Sequence, residues 1–143
     1  MSQSYRRIAA IVLPLLVLTF TTAARADDTR AKDAQAVISA QIDAFLHDDG
    51  AKAYSFASSD VQRLFPNVDI FMNMVRSGYA PVYHPRQFQF GPFAAEGDML
   101  RQTVELTAAD GTAWTAEYTL AKAADGSLRI TSCHLAKKPG IGA

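Results

Sequence analysis

A chain of 143 residues has room for one domain of ordinary size, and its 14 basic and 14 acidic residues cancel. With no basic stripe to displace counterions from phosphates, nucleic acid is excluded as a partner. A single cysteine excludes a disulfide framework, so packing alone must hold the fold.

The chain opens on "MSQSYRRIAAIVLPLLVLTFTTAARA", with Arg6 and Arg7 ahead of a 13-residue apolar run from Ile8 to Phe20. Ala24-Arg25-Ala26 then supplies a small-x-small site, completing the pattern of a secretory signal peptide. Crossing a bilayer takes roughly 20 apolar residues, and this run is interrupted by Pro14, so cleavage after Ala26 is expected rather than a retained membrane anchor. The expected product, residues 27–143, is a single exported domain, periplasmic or secreted, with its core over about residues 34–136. Loss of Arg6, Arg7 and Arg25 takes the 14 basic residues to 11 against 14 acidic, a net charge of −3.

Residues 27–33 (DDTRAKD) are polar and expected to fray. From Ala34 to His47, the positions Val37, Ile38, Ile42, Phe45 and Leu46 share one helical face, with Gln41 near its centre. Asp48, Asp49 and Gly50 stop that helix, and an aspartate there can cap the next. "AKAYSFA" predicts a short second helix. "SSDVQRLF" follows, with Ser59 and Gln62 at capping-box spacing and Pro66 as its end. "NVDIFMNMVRSG" predicts a third helical segment, with Phe71, Met74 and Val75 on one side and Gly78 at its C-terminus.

After Gly78 the period changes. "YAPVYHPRQFQFGPFA" carries three prolines and turns into a strand near Phe88 and Phe90. "DMLRQTVELTA", "TAWTAEYTLAK" and "SLRITSCHLAK" alternate as strands, and Asp-Gly in two of the intervening turns signals hairpins. The layout is α+β: N-terminal helices packed on one face of a curved antiparallel sheet of about four strands.

Strand parity assigns faces. Leu100, Gln102, Val104 and Leu106 share one side, as do Trp114, Ala116, Tyr118 and Leu120. In the last strand the apolar side starts at Leu128 and Ile130 and extends to Ser132 and His134. Cys133 then falls on the outer face, and the adjacent Cys133–His134 pair cannot act as nucleophile and base.

"QIDAFLHDDGAKAYSFAS", "FMNMVRSGYAPVYHP", "RQTVEL" and "DGSLRITSCHL" together resemble the nuclear transport factor 2-like superfamily, which includes ketosteroid isomerase and scytalone dehydratase. More closely, they resemble a bacterial exported family known as domain of unknown function 4864. The resemblance spans about residues 35–136 and implies a cone with a pocket between the first helix and the sheet. It also implies that the outer sheet face is available for a homodimer. It implies no activity, because this fold hosts enzymes and binding proteins alike. The tyrosine and buried acids of the ketosteroid isomerase arrangement have no matching pattern here.

The candidate ligand-binding residues are Gln41, Gln102, Trp114, Tyr118, His134 and Tyr83, the last on the proline-bounded "GYAPVYHP" segment. Gln41 and Gln102 either satisfy each other between helix and sheet or jointly hold something polar. His134 either lines the cavity or stands in water at the open end of its strand. Asp43 and His47 have i, i+4 spacing for a surface pair. The three histidines are isolated and Met72 and Met74 face apart on a helix, so neither metal nor other cofactor is expected. The leading expectation is a non-enzymatic domain binding a small apolar or amphipathic molecule. The rivals are a ligand-free homodimeric interaction module and an isomerase- or dehydratase-like enzyme using His134.

Overall fold

A computed structural model describes residues 21–140, so the Met1–Phe20 part of the expected signal peptide lies outside the described residues. Helix α1 runs from Thr21 to Leu46, about 39 Å at 1.5 Å per residue. Ala34, Ile38, Gln41, Ile42 and Phe45 form its buried stripe, at the spacing expected for one helical face. Residues 27–33 are helical rather than frayed. Asp27 pairs with Arg30 one turn on, at 3.8 Å, and the Arg30 guanidinium donates to the Gly97 carbonyl in a distant turn. The alanines that flank the segment, Ala24 and Ala26 before it and Ala34 and Ala36 after it, favour the helix further.

Asp48 ends α1 at φ 53°, a left-handed residue where glycine is more usual. Asp49 then caps α2 (Gly50–Ser55) by accepting from the Lys52 amide at 3.1 Å. Gly50 is required by space: a Cβ there would lie 2.8 Å from Met72 Cγ. The cap of α3 (Ser59–Leu64) is Ser58 and not Ser59. Gln62 does not close a capping box; it donates to the Tyr54 and Ala57 carbonyls and ties α3 to α2. Asn67 caps α4 (Val68–Gly78), which buries Phe71, Met72 and Val75. Within the proline-rich entry, Ala80–Tyr83 form a single turn, α5.

The sheet is an antiparallel meander in sequence order: β1 (Gln87–Glu96), β2 (Met99–Thr107), β3 (Ala113–Lys122) and β4 (Leu128–Lys137). Both Asp-Gly turns are built alike. Gly111 and Gly126 take positive φ, and Asp110 and Asp125 accept from the amides of Thr112 and Ser127. The helices lie on one face, making the expected α+β layout the observed one. The other face is polar, with Arg101 between Glu96 at 3.5 Å and Glu117 at 3.4 Å.

Two irregularities bend the sheet. In β1 an extra residue enters between Phe90 and Phe93, where Gly91-Pro92 cannot keep the ladder regular. In β4, Leu120 pairs with Ile130 and Thr119 with Ser132, so Thr131 is a bulge. Its hydroxyl lies 2.8 Å from that of Thr119, stitching the bulge to β3. On the free side of β4 at this point, the linker between α2 and α3 closes the edge. Ile130 N–H donates to the Phe56 carbonyl and Ser58 N–H to the Ile130 carbonyl.

Candidate functional site

The bulge reverses the parity of everything after it. Cys133 pairs with Tyr118 and Leu135 with Ala116, all on the helix-facing side. His134 pairs with Glu117 on the outer face and is exposed. The expected placement of both residues is therefore overturned, because a bulged strand spends one residue without alternating. The isomerase- or dehydratase-like reading loses its base with this correction.

Beside the bulge lies a cleft of about 270 Å³. Its floor is Tyr118, Ile130 and Cys133 from the sheet; its back wall is Gln41 and Phe45 of α1. Phe71, Met74 and Val75 of α4 form one side. Leu64 stands at the rim, 74% exposed. The neighbouring Phe65 is held by its carbonyl, which accepts from the Tyr54 hydroxyl at 2.6 Å. Helix α3 buries no residue fully, but its Val61 and its C-cap Phe65 pack against the core and close this side of the cleft.

Tyr118 is 1% exposed, and its hydroxyl has no hydrogen-bond partner. The Cys133 thiol faces it across the strand pair and is its nearest polar neighbour, a weak acceptor at best. Burial pushes the thiol up to about 12, and burial followed by the neighbouring thiol pushes the tyrosine well above its ordinary value. Both groups stay protonated at neutral pH. Burial, with Cys133 as the second cause, also raises Tyr79 at the cleft wall. A thiol in this state is a small apolar surface and not a nucleophile.

Of the sequence candidates, the structure brings Gln41 and Tyr118 to the cleft. Gln41 donates to the Ala53 carbonyl at 3.1 Å, not to Gln102. Gln102 is completely buried and structural. Its amide donates to the Gly91 carbonyl at 3.0 Å and the Pro92 carbonyl at 3.3 Å, and it accepts from Gln35 at 3.1 Å. It thus satisfies the backbone that the β1 irregularity leaves unpaired. Trp114 pairs with Leu106 and Lys137, four residues, or about 13 Å, along β3 from Tyr118. Tyr83 lies outside the cleft, where its hydroxyl donates to Asp48 and accepts from Arg76 Nε at 3.4 Å. The Tyr83 hydrogen bond, more than the nearby His84, lowers the Asp48 carboxyl below its usual range. Asp43 and His47 do form the surface pair, at 3.4 Å.

Sequence reasoning missed Cys133, Val61 and Phe65. The slip was visible in one place: the apolar positions of β4 run Leu128, Ile130, then Cys133, Leu135, changing phase across Thr131-Ser132. No group of three or more His, Cys, Asp or Glu side chains that could hold a metal occurs among the described residues.

The family described as Domain of unknown function (DUF4864) matches residues 27–143. The chain belongs to that family. Among solved structures, the DUF4864 chain is similar to an NTF-2 like protein of unknown function from Silicibacter pomeroyi DSS-3. That likeness has a TM-score of 0.54 at 16% identity and covers 80% of this chain and 98% of the other. At that identity it establishes the fold alone, which is the fold the sequence resemblance implied. No curated protein matches the DUF4864 chain.

Proposed function

We propose that this DUF4864 chain is an exported, non-enzymatic domain that holds one small apolar or amphipathic molecule in the cleft between α4 and the bulged end of the sheet. The observation that carries the reading is the cleft itself. About 270 Å³ stands open among Phe45, Phe71, Val75 and Ile130, in a core whose other large side chains are packed. A largely apolar cleft open at its Leu64 rim is wetted in the free protein, and an apolar molecule that displaces this water gains the burial. The absence of an adjacent base for the protonated Cys133 favours binding over covalent chemistry.

Export is supported at the N-terminus. The family match begins at Asp27, the residue after Ala24-Arg25-Ala26. Residues 22–29 are all exposed, so cleavage there removes no core side chain. No described helix is long and apolar enough to cross a membrane.

One native mass spectrum tests both parts, using protein released gently from cells expressing the full chain. The expected species is a polypeptide starting at Asp27, carrying one small molecule that is lost on denaturation. An exported fraction that begins at Met1 would refute processing. A bare polypeptide whose melting temperature no small apolar compound raises would refute binding.

A further inference from the structure

We infer that the free edge of β4, from Cys133 to Lys137, takes an extended peptide segment of a partner protein as an added antiparallel strand. The segment that fits carries an acidic residue opposite Lys137 and apolar residues opposite Leu135 and Cys133. The inference stands apart from the small molecule of the cleft.

Two hydrogen bonds fix which way the backbone of β4 points. Lys138 N–H donates to the Ala113 carbonyl at 2.9 Å, and antiparallel partners alternate between bonded and non-bonded pairs. Ala136, His134 and Ser132 are therefore bonded to Thr115, Glu117 and Thr119 of β3. Cys133, Leu135 and Lys137 then direct their N–H and C=O groups away from β3, to the edge. At the other end Ala123 N–H donates to the Ser127 carbonyl at 2.8 Å, and the same count turns Ile130 outward. There the α2–α3 linker already serves as an added strand one residue long, with Ala57 bridged to Ile130. Past Ser58 the linker leaves for α3, and no backbone group among the described residues pairs with Cys133, Leu135 or Lys137 on that side.

An edge of this kind is a template for strand addition unless something blocks it. The opposite edge, β1, is broken at Gly91-Pro92. Between Ser132 and Lys138 there is neither proline nor bulge.

Side chains select the occupant, because directly opposed residues share a face. Cys133 and Leu64 both line the cleft, and Leu135 is half-buried against the core, so both positions favour apolar partners. Lys137 is exposed and forms no ion pair among the described residues, whereas Lys138 is held by Glu105. Asp110 senses the Lys137 charge only from beyond pairing distance. An acid opposite Lys137 supplies the missing partner. A second copy of β4 fits worse. Centred on Leu135, the register that uses all three positions, it would set each Lys137 against Cys133 of the other copy, at the apolar lip of the cleft.

The probe is the peptide acetyl-Thr-Glu-Thr-Val-Thr-Val-Thr-amide, titrated into protein recovered from cells expressing the full chain and followed by backbone amide NMR. The amides of Cys133, Leu135 and Lys137 should shift most and gain protection from hydrogen exchange. N-methylation of the valine facing Leu135 should weaken binding at least about fivefold, the worth of one hydrogen bond. N-methylation of the threonine between the valines, whose N–H points away from β4, should change it less than about twofold. Lysine in place of the glutamate should weaken binding about threefold, and Lys137→Glu should reverse that preference. Absence of shifts at these amides with millimolar peptide, equal loss from the two N-methyl peptides, or indifference to the charge exchange overturns the inference. So does a doubled mass with slow exchange at Leu135 in the free protein, which would give the edge to a second copy.

Discussion

Strands β2 and β4 begin alike, each alternating apolar and polar residues, and only β2 continues that way. From Met99 to Thr107 every second residue of β2 is buried, with Gln102 as the single polar exception. In β4 the alternation holds from Leu128 to Ile130, stalls over Thr131 and Ser132, and resumes out of phase at Cys133. The difference lies in position. Strand β2 is hydrogen-bonded on both sides, which penalises any slip. Strand β4 is an edge, where an extra residue is tolerated and the α2–α3 linker repairs the backbone. The cleft lies at the bulged strand.

Breaking β2 should have the largest effect. Gln102→Leu removes the donor for the Gly91 and Pro92 carbonyls. It is expected to cost about 2–3 kcal/mol, the penalty for stranding buried polar groups, read from urea unfolding. A loss below about 0.5 kcal/mol would mean that the β1 irregularity does not depend on this side chain.

On the cleft side the sign reverses. Tyr118→Phe deletes a hydroxyl that has no partner, and ligand-free protein should gain about 1 kcal/mol, seen as a higher melting temperature. A loss of similar size would mean that the hydroxyl is hydrogen-bonded in the folded protein.

His134→Ala should do least. The ring is exposed and opposite Glu117, so stability should change by less than about 0.5 kcal/mol and binding in the cleft not at all. A large effect on binding would return the imidazole to the cavity.

Much of this was legible in the sequence. The buried stripe of α1, the faces of β2 and β3 and the two Asp-Gly turns follow from periodicity and turn chemistry, both local properties. The resemblance to DUF4864 carried the layout as a whole. What failed was extrapolation. Parity read forward from Ile130 assumes an unbroken ladder, whereas the phase of Cys133 and Leu135 shows the break only when read backward from the strand's end. Gln41 and Gln102 were correctly singled out as buried polar residues, but their partners, the Ala53 carbonyl and Gln35, are set by tertiary packing that no spacing encodes. The helix over residues 27–33 was missed for a similar reason, since Arg30 reaches a turn 67 residues away.

The most direct test of the bulge is the rate at which iodoacetamide alkylates Cys133 at pH 8, in folded protein and in urea. A thiol lifted from 9.0 to about 12 by burial holds roughly a thousandfold less thiolate than an unburied one, so the folded rate should be slower by that order and climb with pH far beyond the usual thiol range. Equal rates in the two states would put the sulfur in water on the outer face, and the cleft described above would lose its floor.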